Sequence, residues 1–248
     1  MTGRLPQLPA LPPPGRAALL LDMDGTLLDI APTPDRVVVG PGLLATLRRL
    51  RERTGGALAV ITGRPIAEVD ALLPDAPYAV AGEHGGALRR APGGRVEHPE
   101  LPVPAAAWLV AAEALVRQHS GTILEHKRRG FVVHYRANPT AGPALHAALA
   151  ALVPPSDARF ELMPASMAWE VRPRGVDKGR AVWRVMQAPP FAGRLPVFVG
   201  DDVTDRDGIA EALAMGGVGL LVPDVFGDAA GVRAWLHTLG REGAWPGW

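Results

Sequence analysis

The sequence predicts an α/β fold, a doubly wound and largely parallel sheet, with a second α+β unit inserted into it. Three observations carry this. Short apolar runs at Ala17–Leu21, Ala57–Ile61 and Pro196–Val199 each stop at polar or Gly residues, as strands buried on both faces do. Helical periodicity alternates with such runs up to Gly86 and again from Lys178 onward. Between about Ala87 and Pro173 the pattern changes to hairpin-like and Ala-rich stretches, which suits an antiparallel layer. The expected domains are therefore 1–86 with 174–248, and 87–173 between them.

The first strand, Arg16–Asp22, runs into the Gly-containing turn Asp22-Met-Asp-Gly-Thr26. A helix over Pro41–Arg53 follows, with Leu43, Leu44, Leu47 and Leu50 on one face and Arg48, Arg49 and Arg51 off it. Thr54-Gly-Gly56 stops it. The second strand, Ala57–Thr62, leads through Gly63 to Pro65, which suits the first turn of a helix over Ile66–Leu73. Tyr78–Ala81 is the third strand, before Gly82-Glu-His-Gly-Gly86. Arg89–Leu101 reads as a loop or hairpin. Within the insert, a helix over Pro104–His119 precedes two strands, Thr122–Lys127 and Phe131–Arg136, flanking Arg128-Arg-Gly130. A helix over Pro143–Leu152 then leads to strands Phe160–Met163 and Met167–Arg172. The α/β pattern returns with helix Lys178–Gln187, strand Pro196–Gly200, helix Arg206–Met215, strand Val218–Val222 and helix Ala229–Leu239.

Composition narrows the function. The 248 residues are 48% hydrophobic, ample for a packed core, and the formal net charge of +1 argues against a broad nucleic-acid footprint. With no Cys, disulfides, thiolate metal sites and a Cys nucleophile are excluded. No apolar run approaches the roughly 20 residues of a membrane span, and the apolar stretch after the Pro-rich start is cut off by Asp22. A soluble cytoplasmic protein is the expectation. Of the 26 basic residues only Lys127 and Lys178 are lysines, so each is a candidate for a place where a compact ammonium does what a guanidinium cannot, the plainer reading being chance survival on the surface.

Sites in doubly wound sheets lie beyond the carboxyl ends of the strands, which puts Asp22, Asp24 and Thr62 on one edge. Asp22 and Asp24 stand two residues apart, and two carboxylates aimed into one cleft need a cation or a shared proton. The plainer reading is a turn that uses Asp and Gly for their backbone geometry. A second cluster, Asp201, Asp202, Asp205 and Asp207, holds four of the fourteen Asp residues within seven positions. Capping the next helix accounts for one of them, whereas hard oxygen ligands from two strand ends suit Mg2+. Thr62, before Gly63, either binds a phosphate oxygen or caps the next helix. Lys178 opens a helix, where its charge opposes the dipole, so it is a candidate to neutralise carboxylates and phosphate.

This order of motifs resembles the haloacid dehalogenase-like phosphatases and, within them, the trehalose-6-phosphate phosphatase family. The matching stretches are Leu21-Asp-Met-Asp-Gly-Thr-Leu27, Ile30-Ala-Pro-Thr-Pro34, Ile61-Thr-Gly-Arg64, Ala81-Gly-Glu-His-Gly85, Leu124-Glu-His-Lys127, His134-Tyr-Arg136, Trp169-Glu-Val-Arg-Pro173, Lys178-Gly179 and Gly200-Asp-Asp-Val-Thr-Asp205. The resemblance implies a haloacid dehalogenase-like core with an inserted cap that closes over it. It implies Asp22 as nucleophile through an aspartyl-phosphate, and Asp24 as the acid that protonates the leaving sugar oxygen and later activates water. A raised pKa would suit Asp24 to that task, and crowded carboxylates favour one. Thr62 and Lys178 would hold the phosphoryl oxygens. Mg2+ would sit on Asp22, the Asp24 carbonyl and Asp201, with Asp202 and Asp205 in support. Gly63, Arg64 and His84 would lie on the substrate side, and Glu125, Lys127, Glu170 and Arg172 of the cap would contact sugar hydroxyls. The plainer reading of Glu125 and Lys127 is a surface pair worth little.

The implied partner is a small sugar phosphate, with functional pairing to a trehalose-phosphate synthase; oligomeric state is not indicated. Three departures from the family pattern are Ala165-Ser166 in place of Gly-Lys, Arg206 after Asp205, and a short stretch after Leu221. Another sugar phosphate, such as a glucosyl- or mannosyl-glycerate-type phosphate, is the nearest alternative substrate. A phosphomutase, or a phosphoacceptor domain that does not turn over, are the more distant readings.

Overall fold

The computed structural model describes residues 9–31, 36–127, 129–241 and 245. The start of the Pro-rich segment, most of the Ile30–Pro34 motif and Arg128 lie outside the described residues. The chain divides into two compact units, Met1–Pro99 with Asp177–Trp248, and Glu100–Val176.

In the first unit β1 (Ala17–Leu21) is buried at every position, as its uninterrupted apolar run requires. Around it lie β2 (Leu58–Ile61), β3 (Ala79–Gly82), β10 (Leu195–Gly200) and β11 (Val218–Leu221). With β4 (Ala87–Arg89) and β5 (Val96–Glu97) they form one seven-stranded sheet in the order β11-β10-β1-β2-β3-β4-β5. The pairs among β11, β10, β1, β2 and β3 are all parallel. Leu19 and Leu21 join a core with α1 (Leu43–Arg53), α2 (Ile66–Leu72) and α8 (Ala229–Leu239). Ala18 and Leu20, on the opposite pleat, pack with α5 (Lys178–Met186) and α6 (Asp205–Ala214). The sheet is thus covered on both faces.

Registration places the chemistry. Leu21 pairs with Val60 of β2 on one side and Val199 of β10 on the other. The strand ends carrying Asp22, Thr62 and Asp201 are therefore adjacent. Residues 87–99, expected in the insert, belong here instead. Ala87 pairs with Gly82, and Leu88 is buried in the sheet's core, so this hairpin extends the sheet rather than leaving it. A single turn, α7 (Val222–Val225), has no counterpart in the sequence expectation.

The second unit holds α3 (Ala106–Gln118), α4 (Gly142–Leu152) and an antiparallel sheet of β6 (Ile123–His126), β7 (Phe131–His134), β9 (Ala168–Pro173) and β8 (Phe160–Ala165), in that order. Phe131, Val133, Phe160 and Val171 pack on Ala112, Leu145 and Leu149 of the helices. Alternation sends Glu125, His134, Glu161, Glu170 and Arg172 to the other face. Among the described residues no helix is long and apolar enough to cross a membrane.

Candidate active site

Asp22 leaves β1 buried, 3% exposed, and its backbone N–H donates to the Val199 carbonyl of β10 at 2.9 Å. Its carboxylate faces Lys178, whose Nζ donates to Asp22 Oδ1 at 2.7 Å and to Asp205 Oδ1 at 2.6 Å. Lys178 sits there because Asp177 caps α5, accepting the Arg180 N–H at 2.7 Å, so the first helical residue points back at the strand ends. Asp205 is fully buried, and its Oδ2 accepts the backbone N–H groups of Asp201 and Asp202 at 3.0 and 3.1 Å. Two glycines make room. A Cβ on Gly25 would fall 2.1 Å from Asp201 Oδ2, and one on Gly200 2.2 Å from Asp205 Cγ. Gly25 also takes a left-handed φ of 80°, which other residues rarely adopt.

Asp22, Asp201 and Asp205 each offer a carboxylate oxygen, all within 4.8 Å of one another. Burial, the largest effect, pushes Asp22 up to about 6; Lys178 opposes the rise and Asp201 adds to it. Asp201 also rises to about 6, from burial and from its Asp205 and Asp202 neighbours. Asp205 rises to about 7, from burial and then from Asp22. Burial works against the charge on Lys178, yet its two anions outweigh that and hold its pKa above the ordinary lysine value. Three carboxylates share one ammonium, and Asp22 and Asp201 stand within hydrogen-bonding reach of each other. Such a cluster lacks positive charge, and its hard oxygen donors fit a divalent cation.

Of the expected Asp22, Asp24 carbonyl, Asp201 and Asp202, the carboxylates of Asp22 and Asp201 stand in this cluster and that of Asp202 does not. Asp202 turns its Oδ1 to the N–H and hydroxyl of Thr204 at 2.8 and 2.7 Å, closing the turn into α6. Burial opposes its charge, but Lys178 and these hydrogen bonds hold its pKa below the ordinary range. Asp205, expected in support, stands beside them in the cluster. Its signal in the sequence is Gly200, the one residue type that leaves space for it. The carboxylate of Asp24 faces away from the cluster, onto Arg64: Nε donates to Oδ2 at 2.6 Å and Nη2 to Oδ1 at 2.8 Å. The crowding expected around Asp24 therefore falls on Asp22, Asp201 and Asp205. Hydrogen bonding to Asp24 is the main reason the Arg64 pKa rises.

Thr62 is buried, and its hydroxyl accepts the Arg64 N–H at 3.2 Å. It tightens the Thr62–Arg64 turn rather than capping α2, whose cap is Pro65. His84 donates its N–H to the Thr62 carbonyl at 3.0 Å from a left-handed φ of 54°. Its ring covers Gly63, where a Cβ would lie 2.6 Å from His84 Nε2. In the second unit Lys127 pairs with Glu170 at 3.4 Å, Glu125 with His134 at 2.8 Å, and the buried Arg172 with Glu161 at 2.9 Å. All lie on the sheet face away from the helices.

A profile described as trehalose-phosphatase matches residues 20–225, which includes every element that builds the cluster. The chain belongs to the trehalose-phosphatase family. A trehalose-6-phosphate phosphatase of Escherichia coli is 38% identical over 223 residues, 90% of this chain and 82% of that protein. Solved structures share the fold. The C-terminal domain of a Candida albicans trehalose-6-phosphate phosphatase aligns with TM-score 0.72 at 20% identity, over 91% of this chain and 92% of that one. A haloacid dehalogenase-like hydrolase from Bacteroides thetaiotaomicron aligns with TM-score 0.63 at 13% identity, over 89% and 98%.

Proposed function

We propose that this chain hydrolyses trehalose 6-phosphate to trehalose and phosphate, through a phosphoryl group carried on Asp22. The observation that carries the reading is the cluster itself: Asp22, Asp201 and Asp205 around one point, with Lys178 bridging two of them. A carboxylate attacks a dianionic phosphate only where charge is screened, and Lys178 supplies part of that screening. Bound Mg2+ would supply the rest as a Lewis acid; Asp22 and Asp201 would hold it with the Asp24 carbonyl, Asp202 and Asp205 in support.

Asp24 exchanges the proton with the sugar oxygen and then with the attacking water. Thr62, Gly63 and Lys178 receive the phosphoryl oxygens, and His84 walls the same turn. Lys127, Glu125, Glu170 and Arg172 recognise sugar hydroxyls. A trehalose-phosphate synthase, which makes the substrate, is the natural functional partner, and the cytoplasm the natural setting.

The test is phosphate release from a panel of sugar phosphates, with and without chelator, for wild type and Asp22→Asn. Trehalose 6-phosphate should lead the panel, and chelator should abolish turnover. Asp22→Asn is near isosteric, so a folded variant should lose at least about 1,000-fold, in keeping with loss of a nucleophile. Preference for a glycerate-linked sugar phosphate would overturn the substrate; turnover retained by Asp22→Asn would overturn the covalent mechanism.

A further inference from the structure

We propose that Arg64 is a positioning residue for the Asp24 carboxylate, held to that task by Glu68, and not a ligand for phosphate or sugar. The proposal deepens the reading of Asp24 as the proton-exchanging group and rests on it.

Three nitrogens of the Arg64 side chain meet carboxylates. Nε and Nη2 fork onto the two oxygens of Asp24 at 2.6 and 2.8 Å, and Nη1 donates to Glu68 Oε2 at 2.9 Å. Glu68 lies four residues on, in the first turn of α2, so it fixes the far end of the guanidinium. The backbone is fixed as well. The Arg64 N–H donates to Thr62 Oγ1 at 3.2 Å, and its carbonyl accepts the Glu83 N–H at 3.1 Å. Gly82 permits that approach, since a Cβ there would meet the Arg64 carbonyl at 2.7 Å.

The consequence is rotational. A planar fork bonded to both oxygens sets the plane of the carboxylate, which a point charge cannot do. Asp24 needs this because its side chain is 36% exposed, whereas that of Arg64 is 12% exposed. In the first half-reaction the sugar O–P bond breaks and the phosphoryl group passes to a carboxylate oxygen of Asp22. The bond's electron pair stays on the sugar oxygen, which takes the proton of the Asp24 carboxyl. In the second, water attacks phosphorus, Asp24 takes back a proton, and Asp22 recovers its carboxylate as phosphate leaves. Both steps need an Asp24 oxygen aimed at one small volume, and misaiming is costly.

The experiment compares two substrates with the purified full chain in Mg2+: trehalose 6-phosphate, whose alkoxide must be protonated, and p-nitrophenyl phosphate, whose leaving group departs without a proton. Arg64→Lys keeps the charge and removes the fork. Read in a single turnover as release of the leaving group, the one step that differs between the substrates, it should slow trehalose release by about 10- to 100-fold and leave p-nitrophenol release within about 3-fold of wild type, with KM changed less than about 3-fold. Glu68→Gln should shift the same ratio in the same sense by a few-fold. It lies on the surface of α2, so it carries the test should Arg64→Lys fail to fold. Equal losses in single-turnover leaving-group release from both substrates, or a rise in KM at unchanged kcat, would overturn the proposal. Asp24→Asn separates the two levels. If it falls selectively on the sugar phosphate while Arg64→Lys falls equally on both, the Arg64 link is wrong and Asp24 stands. If Asp24→Asn itself falls equally, the reading of Asp24 fails and takes this proposal with it.

Discussion

At Lys178 one buried ammonium faces two carboxylates, with a third close behind, and this imbalance has a measurable consequence. Asp22 and Asp201 rise from 3.8 to about 6, and Asp205 to about 7. Folded values above the unfolded one mean that the folded chain keeps protons the unfolded chain has released. The stability these groups contribute is full below 3.8 and is lost as pH rises through 6 to 7. Without divalent cation, the melting temperature should therefore drop between about pH 5 and pH 8, and the drop should be shallower in Asp201→Asn, which removes one of the charges. Adding Mg2+ should raise the melting temperature more at the higher pH, because the cation binds the deprotonated cluster. Thermal melts of both proteins in chelator and in Mg2+ measure this directly. A melting temperature that is flat or rising across that range in chelator, with no difference between the two proteins, would refute the shared charge.

At the scale of elements, α5 matters because it carries Lys178 and packs closely on α6, which carries Asp205. Gly179 sets that approach, since a Cβ there would lie 2.7 Å from the Asp207 carbonyl. Helix propensity alone would make Gly179→Ala stabilising by about 1 kcal/mol. Backbone cannot step aside as a flexible side chain can, so the clash should win. The variant should unfold at lower denaturant than wild type, and its kcat should fall as Lys178 is carried away from Asp205. A more stable, fully active Gly179→Ala would show that the helices can part freely.

The same elements show what a reader of the sequence can and cannot see. β1, β2, β10, α1, α5 and α8 are legible because apolar runs and helical stripes follow from burial on one or two sides. The place of β4 and β5 is not, since joining the edge of β3 depends on a long-range pairing that two- and three-residue strands do not announce. Asp22, Asp201, Thr62 and Lys178 are legible as residues that strand ends and a helix start would bring together. Which of Asp202 and Asp205 enters the cluster is not. That is decided by rotation of the first turn of α6, where Asp202 meets Thr204 and Asp205 meets Lys178.

At the scale of the whole molecule the two units carry different kinds of residue. The first gathers the buried charges, a costly arrangement that stability alone does not explain. The second keeps a hydrophobic core of its own and carries paired charges on one sheet face, most of them exposed or half-buried, with Arg172 buried. The Lys127–Glu170 pair is half-buried and spaced at 3.4 Å, and such a loose pair contributes only about 1 kcal/mol, so losing it should leave the fold nearly unchanged. If that face recognises the sugar, its substitution should separate recognition from chemistry. Lys127→Met and Glu170→Gln should each raise KM for trehalose 6-phosphate by about 10-fold or more, the order expected for a lost hydrogen bond to a charged group. Hydrolysis of p-nitrophenyl phosphate, which has no sugar to recognise, should change less than about 2-fold, and the melting temperature by no more than a few degrees. Equal effects on both substrates would mean that these residues support the fold or the chemistry. In that case the chain's preference among sugar phosphates would have to be set within the first unit, with Gly63 and His84 the residues to vary next.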